Sequence, residues 1–211
     1  MYPIEREIPK IEKEALETER LTIRKIVPAE YAFYLKDDAG WNIDPLSGEV
    51  TREDLKVLEE RQTFCKALIE RREAITFSVL DKNSGEMIGF IDLYSGALKN
   101  YEKMLEYCHF EMGYHFQRSV WGNGFATEAV NAMINLVFSK TNCVCITCGC
   151  SPMNAPSNKL LRKLGFTYMF KRMGETLLSD EQAKKPEFDS FKRLVENVYF
   201  LGPTRLGKSD N

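Results

Sequence analysis

Between Leu105 and Phe138 the hydrophobic pattern changes its period halfway along, and the rest of the chain is predicted to be arranged around this stretch. In the first half, apolar residues fall on every second position, as they do on one face of a β-strand. In the second half they recur every three or four positions, as they do on one face of a helix. The alternating residues are Cys108, Phe110, Met112, Tyr114 and Phe116, and the helical ones are Phe125, Ala126, Ala129, Val130, Met133, Leu136 and Val137. The pattern predicts a strand that leads directly into a helix.

The turn between the two, Trp121-Gly122-Asn123-Gly124, places glycines at the predicted start of the helix. The first backbone N–H groups of a helix have no intrahelical acceptor, and the helix dipole favours an anion there. We therefore expect a phosphate-binding turn, and a tight turn without a ligand is the structural alternative. A dinucleotide fingerprint is excluded because Thr127 stands in place of its third glycine. A nucleoside-triphosphate loop is excluded because it needs Gly-Lys followed by Ser or Thr, and this turn has Gly-Asn-Gly.

Periodicity and turn residues predict further elements on both sides of this unit. Strands are expected at 19–26, 75–80, 86–94, 143–148, 166–171 and 196–201, and helices at 28–35, 51–72, 179–185 and between Pro156 and Gly165. The helix at 51–72 is predicted to bury Leu55, Leu58, Cys65, Leu68 and Ile69, and the segment 37–50 is predicted to be a loop. The order of strands and helices, with hairpins at both ends, predicts an α/β fold with a mixed sheet and helices on both faces.

Length and composition indicate one domain. A chain of 211 residues with 44% hydrophobic residues is long enough to bury one core. We expect this domain at 16–201, an N-terminal extension at 1–15 that lies on the surface or is partly disordered, and a polar tail at 202–211. A net charge of −2 gives no basic field for nucleic acid, and no stretch resembles a signal peptide or a membrane span. Neither nucleic acid nor membrane is an expected partner, and the expected location is the cytoplasm.

Four of the six cysteines lie close together, at Cys143, Cys145, Cys148 and Cys150. A zinc site is the alternative to consider, because thiolates at short spacing are common zinc ligands. A strand over these residues would place Cys143 and Cys145 on one face and Cys148 and Cys150 on the other, so four ligands would not converge. We therefore expect no metal, and we interpret the cysteines as buried, reduced and effectively apolar.

Three motifs resemble those of the GNAT N-acetyltransferases and, within that family, of the ribosomal-protein N-terminal acetyltransferases. They are Glu111-Met112-Gly113-Tyr114 on the strand, Trp121-Gly122-Asn123-Gly124-Phe125-Ala126-Thr127-Glu128-Ala129 at the turn, and Asn154-Ala155-Pro156-Ser157 followed by Lys163-Leu164-Gly165-Phe166. Their order and spacing fit the family, and the resemblance covers roughly 16–201. The turn departs from the family pattern at its first position, where Ser119 replaces Gln or Arg. Gln117 and Arg118 lie close enough to supply part of that role.

The resemblance implies a GNAT fold, in which the central strand and the strand from Val144 splay apart and admit the pantetheine arm of acetyl-CoA. It implies acetyl-CoA as the cofactor and transfer of its acetyl group to a primary amine. Backbone N–H groups near Tyr114 to Phe116 would polarise the thioester carbonyl at the splayed edge. The implied cofactor-binding residues are Tyr114, Phe116, Trp121, Gly122, Asn123, Gly124, Ala126, Thr127 and Asn154.

The catalytic candidates are Glu111, Ser157 and Asn154. Acetyl transfer needs a neutral amine, and a carboxylate such as Glu111 in a partly dry cleft is able to take the proton from the ammonium. A carboxylate at a solvated sheet edge is the alternative. Many family members use a tyrosine as the acid where this chain has Leu161, and the resemblance implies that Ser157 protonates the departing thiolate and that Asn154 contacts the cofactor arm. Both residues are also good helix caps.

The expected acceptor is the N-terminal amine of a protein or peptide. Two alternatives stay open: a small amine such as an amino acid, a polyamine or an antibiotic, and a GNAT module that binds CoA without catalysis. The acidic segment 37–50, which contains Trp41, suits either kind of amine.

Overall fold

The computed structural model describes residues 3–36, 38–44, 47–70, 73–94, 107–173, 176–178 and 195–203. The strands are β1 (Ala15–Glu17), β2 (Leu21–Lys25), β3 (Trp41–Ile43), β4 (Val50–Arg52), β5 (Ala74–Asp81), β6 (Met87–Tyr94), β7 (Cys108–Phe116), β8 (Cys143–Cys150), β9 (Thr167–Met173), β10 (Thr176–Leu178) and β11 (Val195–Leu201). The helices are α1 (Pro3–Ile11), α2 (Leu55–Glu70), α3 (Phe125–Lys140) and α4 (Ala155–Lys163), with 3₁₀ helices at Pro28–Leu35 and Arg118–Val120.

Within these ranges, nine strands form one sheet in the order β1-β2-β5-β6-β7-β8-β11-β9-β10, and β3 pairs with β4 in a separate hairpin. Neighbouring strands of the large sheet are antiparallel except β7 and β8, which are parallel. The pairing of β7 with β8 ends at Glu111 and Thr147, although β7 continues to Phe116 and β8 to Cys150. The two strands therefore part over their second halves, and the predicted mixed, splayed sheet is confirmed.

The strand-to-helix unit at the centre of the chain is confirmed as β7 followed by α3. The helix buries the face that the period predicts, and Ala129, Val130, Met133 and Val137 are each 0% exposed. The predicted strands at 19–26, 75–80, 86–94, 166–171 and 196–201 correspond to β2, β5, β6, β9 and β11. None of the helices in the described ranges is long and apolar enough to cross a membrane.

The prediction of a surface arm at 1–15 is wrong. Residues 3–11 form α1, and Ile4, Ile8 and Ile11 are only 2%, 6% and 0% exposed in the main core cluster. The helix is also held at its charged side, because the carboxylate of Glu7 accepts a hydrogen bond of 2.9 Å from the backbone N–H of Asn142. The charges and prolines concealed an apolar stripe at intervals of four and three residues, which is the spacing of one helix face.

Several shorter elements also differ from the prediction. The segment 37–50 is not a continuous loop, since it contains β3 and the start of β4. On α2, Leu58 is buried as predicted but Leu55 is 59% exposed. β1 and β10 have three residues each, which is too short to produce a period in the sequence. The predicted helix at 179–185, the side chains of Cys65 and Leu68 and the tail beyond residue 203 lie outside the described residues.

The cysteine strand is confirmed as β8, but its faces are not those predicted. A bulge at Val144 shifts the pairing of β8 with β7. Because paired residues of parallel strands share a face, Cys143 lies with Cys148 and Cys150 in the core cluster, and Cys145 lies on the opposite face. All four thiols are buried and free. In the part of the chain that the structure describes, no group of three or more His, Cys, Asp or Glu residues is arranged to hold a metal ion.

Candidate functional site

A cavity of about 450 Å³ lies where β7 and β8 part. It is bounded by the end of β7, the glycine turn, the first turn of α3, one face of α4, and β3. Every predicted cofactor residue except Asn123 lines it, as does Ser157, whereas Glu111 does not. The lining residues are Trp41, Asn42, Ile43, Tyr114, His115, Phe116, Val120, Trp121, Gly122, Gly124, Ala126, Thr127, Asn154, Pro156, Ser157, Lys159, Leu160 and Lys163. The chain thus brings together most of the residues that the motifs indicate.

The glycine turn has a backbone that favours glycine at two positions. Gly122 and Gly124 have φ values of 80° and 83°, in the left-handed region that side chains with a Cβ rarely adopt. Gly124 is the N-cap of α3, so the first N–H groups of the helix are free of intrahelical partners at the cavity. The indole of Trp121 donates a hydrogen bond of 2.7 Å to the carbonyl of Phe116 and ties the turn to the end of β7.

Arg20 and Glu128 hold this turn from the side of β2. The Arg20 guanidinium donates to the Asn123 carbonyl at 2.9 Å and to the Glu128 carboxylate at 2.7 Å, and it stacks 4.2 Å above the Phe125 ring. Thr18 donates a hydroxyl hydrogen bond of 2.6 Å to the same carboxylate. Burial raises the pKa of Glu128, but the hydrogen bonds from Thr18 and Arg20 outweigh burial and lower it overall. Sequence reasoning missed this support, because Arg20 lies 108 residues from its partner.

The start of α4 carries Asn154 and Ser157 into the cavity. The side chain of Asn154 caps the helix, since its Oδ1 accepts the Ser157 backbone N–H at 3.0 Å. The hydroxyls of Ser157 and Tyr114 form a hydrogen bond of 2.6 Å across the parted strands. Burial raises the pKa of Tyr114 well above its usual range. Leu161, which replaces the family's tyrosine, is 0% exposed in the core and offers no hydroxyl.

Glu111 lies in a buried ion pair and not at the cavity wall. Its residue is 2% exposed, and its carboxylate accepts hydrogen bonds from both terminal nitrogens of Arg172, one of them at 3.1 Å. Arg172 also donates through Nε to Glu196 at 2.8 Å, and the Tyr94 hydroxyl donates to Glu111 at 3.3 Å. Burial lowers the pKa of Arg172, but the hydrogen bond and charge of Glu111 outweigh burial and raise it above its usual range. The Glu111 carboxylate is therefore held in a bidentate pair.

The residues around Ser119 make contacts on the outer side of the turn. The Ser119 hydroxyl donates to the Asp38 carboxylate at 2.6 Å, and the Arg118 guanidinium stacks 4.1 Å above the Trp41 ring. Gln117 donates a side-chain hydrogen bond of 3.1 Å to Ser119. Neither Gln117 nor Arg118 lines the cavity. The Arg118 contact with Trp41 holds β3 beside the turn instead.

Lys159 and Lys163 supply the positive charge of the cavity wall, which sequence reasoning missed. They lie four residues apart on α4 and therefore on one face of that helix. Among the described residues, neither ammonium has a carboxylate partner, and no Asp or Glu lines the cavity. Together with the N-terminus of α3, they give the cavity wall a positive charge in a chain whose net charge is −2.

The chain is similar in sequence to known proteins. Residues 20–167 match the family model described as Acetyltransferase (GNAT) domain. The uncharacterized N-acetyltransferase p20 of Bacillus licheniformis is 31% identical over 164 residues, which span 72% of this chain and 82% of that protein.

Solved structures with low sequence identity share the fold. RimJ of Mycobacterium smegmatis in complex with CoA-disulfide superimposes with a TM-score of 0.63 at 18% identity, over 95% of this chain and 92% of that one. The ribosomal-protein-S5-alanine acetyltransferase of Vibrio fischeri gives 0.59 at 18% identity, over 90% and 97%. A chimera of the spermidine N-acetyltransferase SpeG from Vibrio cholerae and hSSAT gives 0.61 at 17% identity, over 89% and 99%. Two of these proteins are named for different acceptors, so the fold alone leaves the acceptor open.

Proposed function

The chain belongs to the GNAT family of acetyltransferases and is an N-acyltransferase, and from this premise we propose that it transfers acetyl from acetyl-CoA to the N-terminal amine of a protein or peptide. One observation carries the proposal. β7 and β8 part beside the glycine turn, so the free N–H groups at the start of α3, an unpaired strand edge and a cavity meet at one place. A CoA thioester has a diphosphate for the turn, pantetheine amides for the strand edge and a thioester for the cavity.

The donor fits the site from its phosphates to its thioester. Free N–H groups at the start of α3 suit the diphosphate, with Gly122 to Thr127 close to it. The pantetheine amides suit the edge of β7 beyond Glu111, where β8 no longer pairs with it. Backbone N–H groups near Tyr114 to Phe116 are then placed to polarise the thioester carbonyl as negative charge develops on its oxygen.

The transfer itself requires little covalent chemistry from the protein. The amine nitrogen attacks the acetyl carbon, the carbon–sulfur bond breaks, the sulfur leaves with the bonding electrons, and the nitrogen loses a proton. Ser157 lines the cavity on the side of α4 and is proposed to donate its hydroxyl to the departing sulfur, with Asn154 against the cofactor arm. Glu111 would serve as the base only when its ion pair with Arg172 opens.

The lack of carboxylates in the described cavity lining favours a peptide acceptor over a polyamine. A polyamine carries several cations, and its recognition calls for several carboxylates. Among the described residues, no carboxylate lines the cavity. A peptide N-terminus brings one amine and a backbone that hydrogen-bonds without needing charge, which suits this wall better.

The proposal is tested by thiol release from acetyl-CoA with a matched panel of acceptors. We expect a peptide with a free N-terminus to give a kcat/KM at least about tenfold above spermidine or free lysine, since its backbone adds transition-state contacts. The same peptide with a blocked N-terminus is the control and should release no thiol. Preference for spermidine would overturn the acceptor assignment. CoA binding without thiol release from any amine would indicate a non-catalytic module.

Lys159 and Lys163 give a prediction for donor recognition. We expect the two lysines to contact the 3′-phosphate of CoA. Lys159→Gln/Lys163→Gln should therefore weaken CoA binding and leave the binding of 3′-dephospho-CoA nearly unchanged. The expected loss is about five- to tenfold, because exposed lysine–phosphate pairs contribute modestly. Calorimetry with both ligands measures this. Lys140→Gln removes the same charge at the far end of α3 and should change neither affinity. Equal losses for both ligands would place the lysines at the diphosphate, and unchanged affinities would remove them from the site.

A further inference from the structure

We infer that Tyr114 is a positioning residue, whose hydroxyl donates to Ser157 and so directs the Ser157 proton toward the leaving sulfur. The two side chains then act as one hydrogen-bond donor to that sulfur. The inference rests on the proposed acetyl transfer but not on which amine accepts the group.

The backbone around both residues is fixed. Tyr114 lies on β7 three positions beyond the last residue paired with β8, so its side chain reaches across the gap between the strands. Ser157 lies on the first turn of α4, where its N–H is held by the Asn154 cap. The two hydroxyl oxygens are 2.6 Å apart and both residues line the cavity. The remaining freedom of the Ser157 hydroxyl is therefore set by this contact.

The direction of the hydrogen bond follows from acidity. A phenol is a stronger donor than an aliphatic hydroxyl, so Tyr114 donates and Ser157 accepts. Burial raises the pKa of Tyr114, which therefore keeps its proton throughout the neutral range. A serine hydroxyl that accepts one hydrogen bond still has its own proton to donate. That proton is left for a third group inside the cavity.

Sulfur is a suitable third group. Burial raises the pKa of the Cys150 thiol to about 11, and the hydrogen bond from Ser157 acts in the opposite direction. The same hydroxyl is thus already a hydrogen-bond partner of a neighbouring sulfur. A CoA thiolate in the cavity would accept the same hydrogen bond.

Full proton transfer from the pair is not needed. An ordinary thiol has a pKa of about 8.5 and an ordinary tyrosine about 10, so a thiolate is the weaker base and does not take the proton from Tyr114. The pair instead lowers the barrier by a hydrogen bond that strengthens as charge collects on sulfur. The thiolate later takes a proton from the amine nitrogen or from solvent, which completes the balance of the reaction.

A double-mutant cycle on turnover tests the coupling. We expect Ser157→Ala to lower kcat about 10- to 100-fold and Tyr114→Phe about 5-fold, with KM for acetyl-CoA nearly unchanged. In the Ser157→Ala background, Tyr114→Phe should have almost no further effect, because its partner is gone. Ser157→Thr keeps a hydroxyl and should restore most of the turnover. Equal effects of Tyr114→Phe with and without Ser157 would overturn the inference.

The pKa of the thiol in bound CoA gives a second readout that needs no acceptor and no turnover. Followed by thiolate absorbance, it should rise in Ser157→Ala and less in Tyr114→Phe, since each removes stabilisation of the thiolate. Melting temperatures confirm that each variant is folded. If CoA binds and its thiol pKa is the same in the parent and both variants, the inference fails while the proposed function stands. If CoA does not bind the parent, both fail.

Discussion

Gly124→Asp is expected to lower the affinity for CoA about 100-fold, whereas Gly124→Asn lowers it only slightly. Gly124 has a φ of 83°, a conformation that Asp and Asn tolerate better than other residues with a side chain. The two variants therefore share the backbone cost and differ mainly in charge. An added carboxylate about 6 Å from one phosphate charge, at an effective dielectric constant of about 20, costs roughly 3 kcal/mol, which is about 100-fold in affinity.

Arg20 limits how large this effect becomes. A Cβ at Gly124 would lie 3.4 Å from Arg20 Nη2, so the new carboxylate gains some compensation there. That guanidinium already serves Glu128 and the Asn123 carbonyl, which leaves the compensation incomplete. Calorimetry at low and high salt measures the difference, which should shrink as ionic strength rises. If folded Asp and Asn variants bind CoA equally well, the diphosphate does not lie at this turn.

The central unit was predictable because its signals are local. The change of period between Cys108 and Val137 marks β7 and α3, and the two glycines mark the turn between them. The cap of α4 is equally local, since Asn154 holds a residue three positions away, and Gly165 ends the helix with a φ of 87°. The same kind of signal was present in α1, but the charged residues and prolines around the isoleucines led to the prediction of a surface arm.

The contacts that set the chemistry were not predictable, because they join residues that are distant in the chain. Tyr114 and Ser157 are 43 residues apart, and Glu111 and Arg172 are 61 apart. No periodicity reports which side chains meet across a sheet, since pairing depends on strand order and register. The bulge at Val144 shows how sensitive this is, because one extra residue moved Cys143 to the face of Cys148 and Cys150.

Glu111 and Arg172 carry the largest expected effect on stability. We expect Glu111→Gln to lower the free energy of unfolding by about 3 kcal/mol and Arg172→Gln by about 5 kcal/mol, because each breaks a buried ion pair. Arg172→Gln is expected to cost more than Glu111→Gln because Arg172 also contacts Glu196. After Glu111→Gln, Arg172 keeps its 2.8 Å contact with Glu196, whereas Arg172→Gln removes the cation that two carboxylates share. Denaturant unfolding measures both values.

A double variant and a surface control test whether the loss of stability comes from breaking the buried ion pair. Glu111→Gln/Arg172→Gln should be more stable than Arg172→Gln alone by at least about 1 kcal/mol, since it leaves less uncompensated charge in the core. Lys56 and Glu60 form an exposed pair at 3.9 Å, with side chains 86% and 68% exposed. Glu60→Gln makes the same chemical change there and should alter stability by less than about 0.5 kcal/mol. Additive losses in the double variant would mean that Glu111 and Arg172 do not stabilise each other.

The pH dependence of Glu111→Gln separates the ion pair from the catalytic base. In the parent, Glu111 raises the pKa of Arg172. In the variant, an arginine still stays protonated far above neutral pH and keeps its contact with Glu196, so the loss of stability should be constant from about pH 6 to pH 10. If Glu111 serves only in the ion pair, Glu111→Gln should also keep turnover within about tenfold of the parent, at a temperature where the variant is folded. A general base behaves differently: its loss lowers the amine-dependent rate about 10²- to 10⁴-fold, and high pH restores part of the rate by supplying free amine. Such a recovery would mean that the pair with Arg172 opens during the reaction and that Glu111 takes the proton.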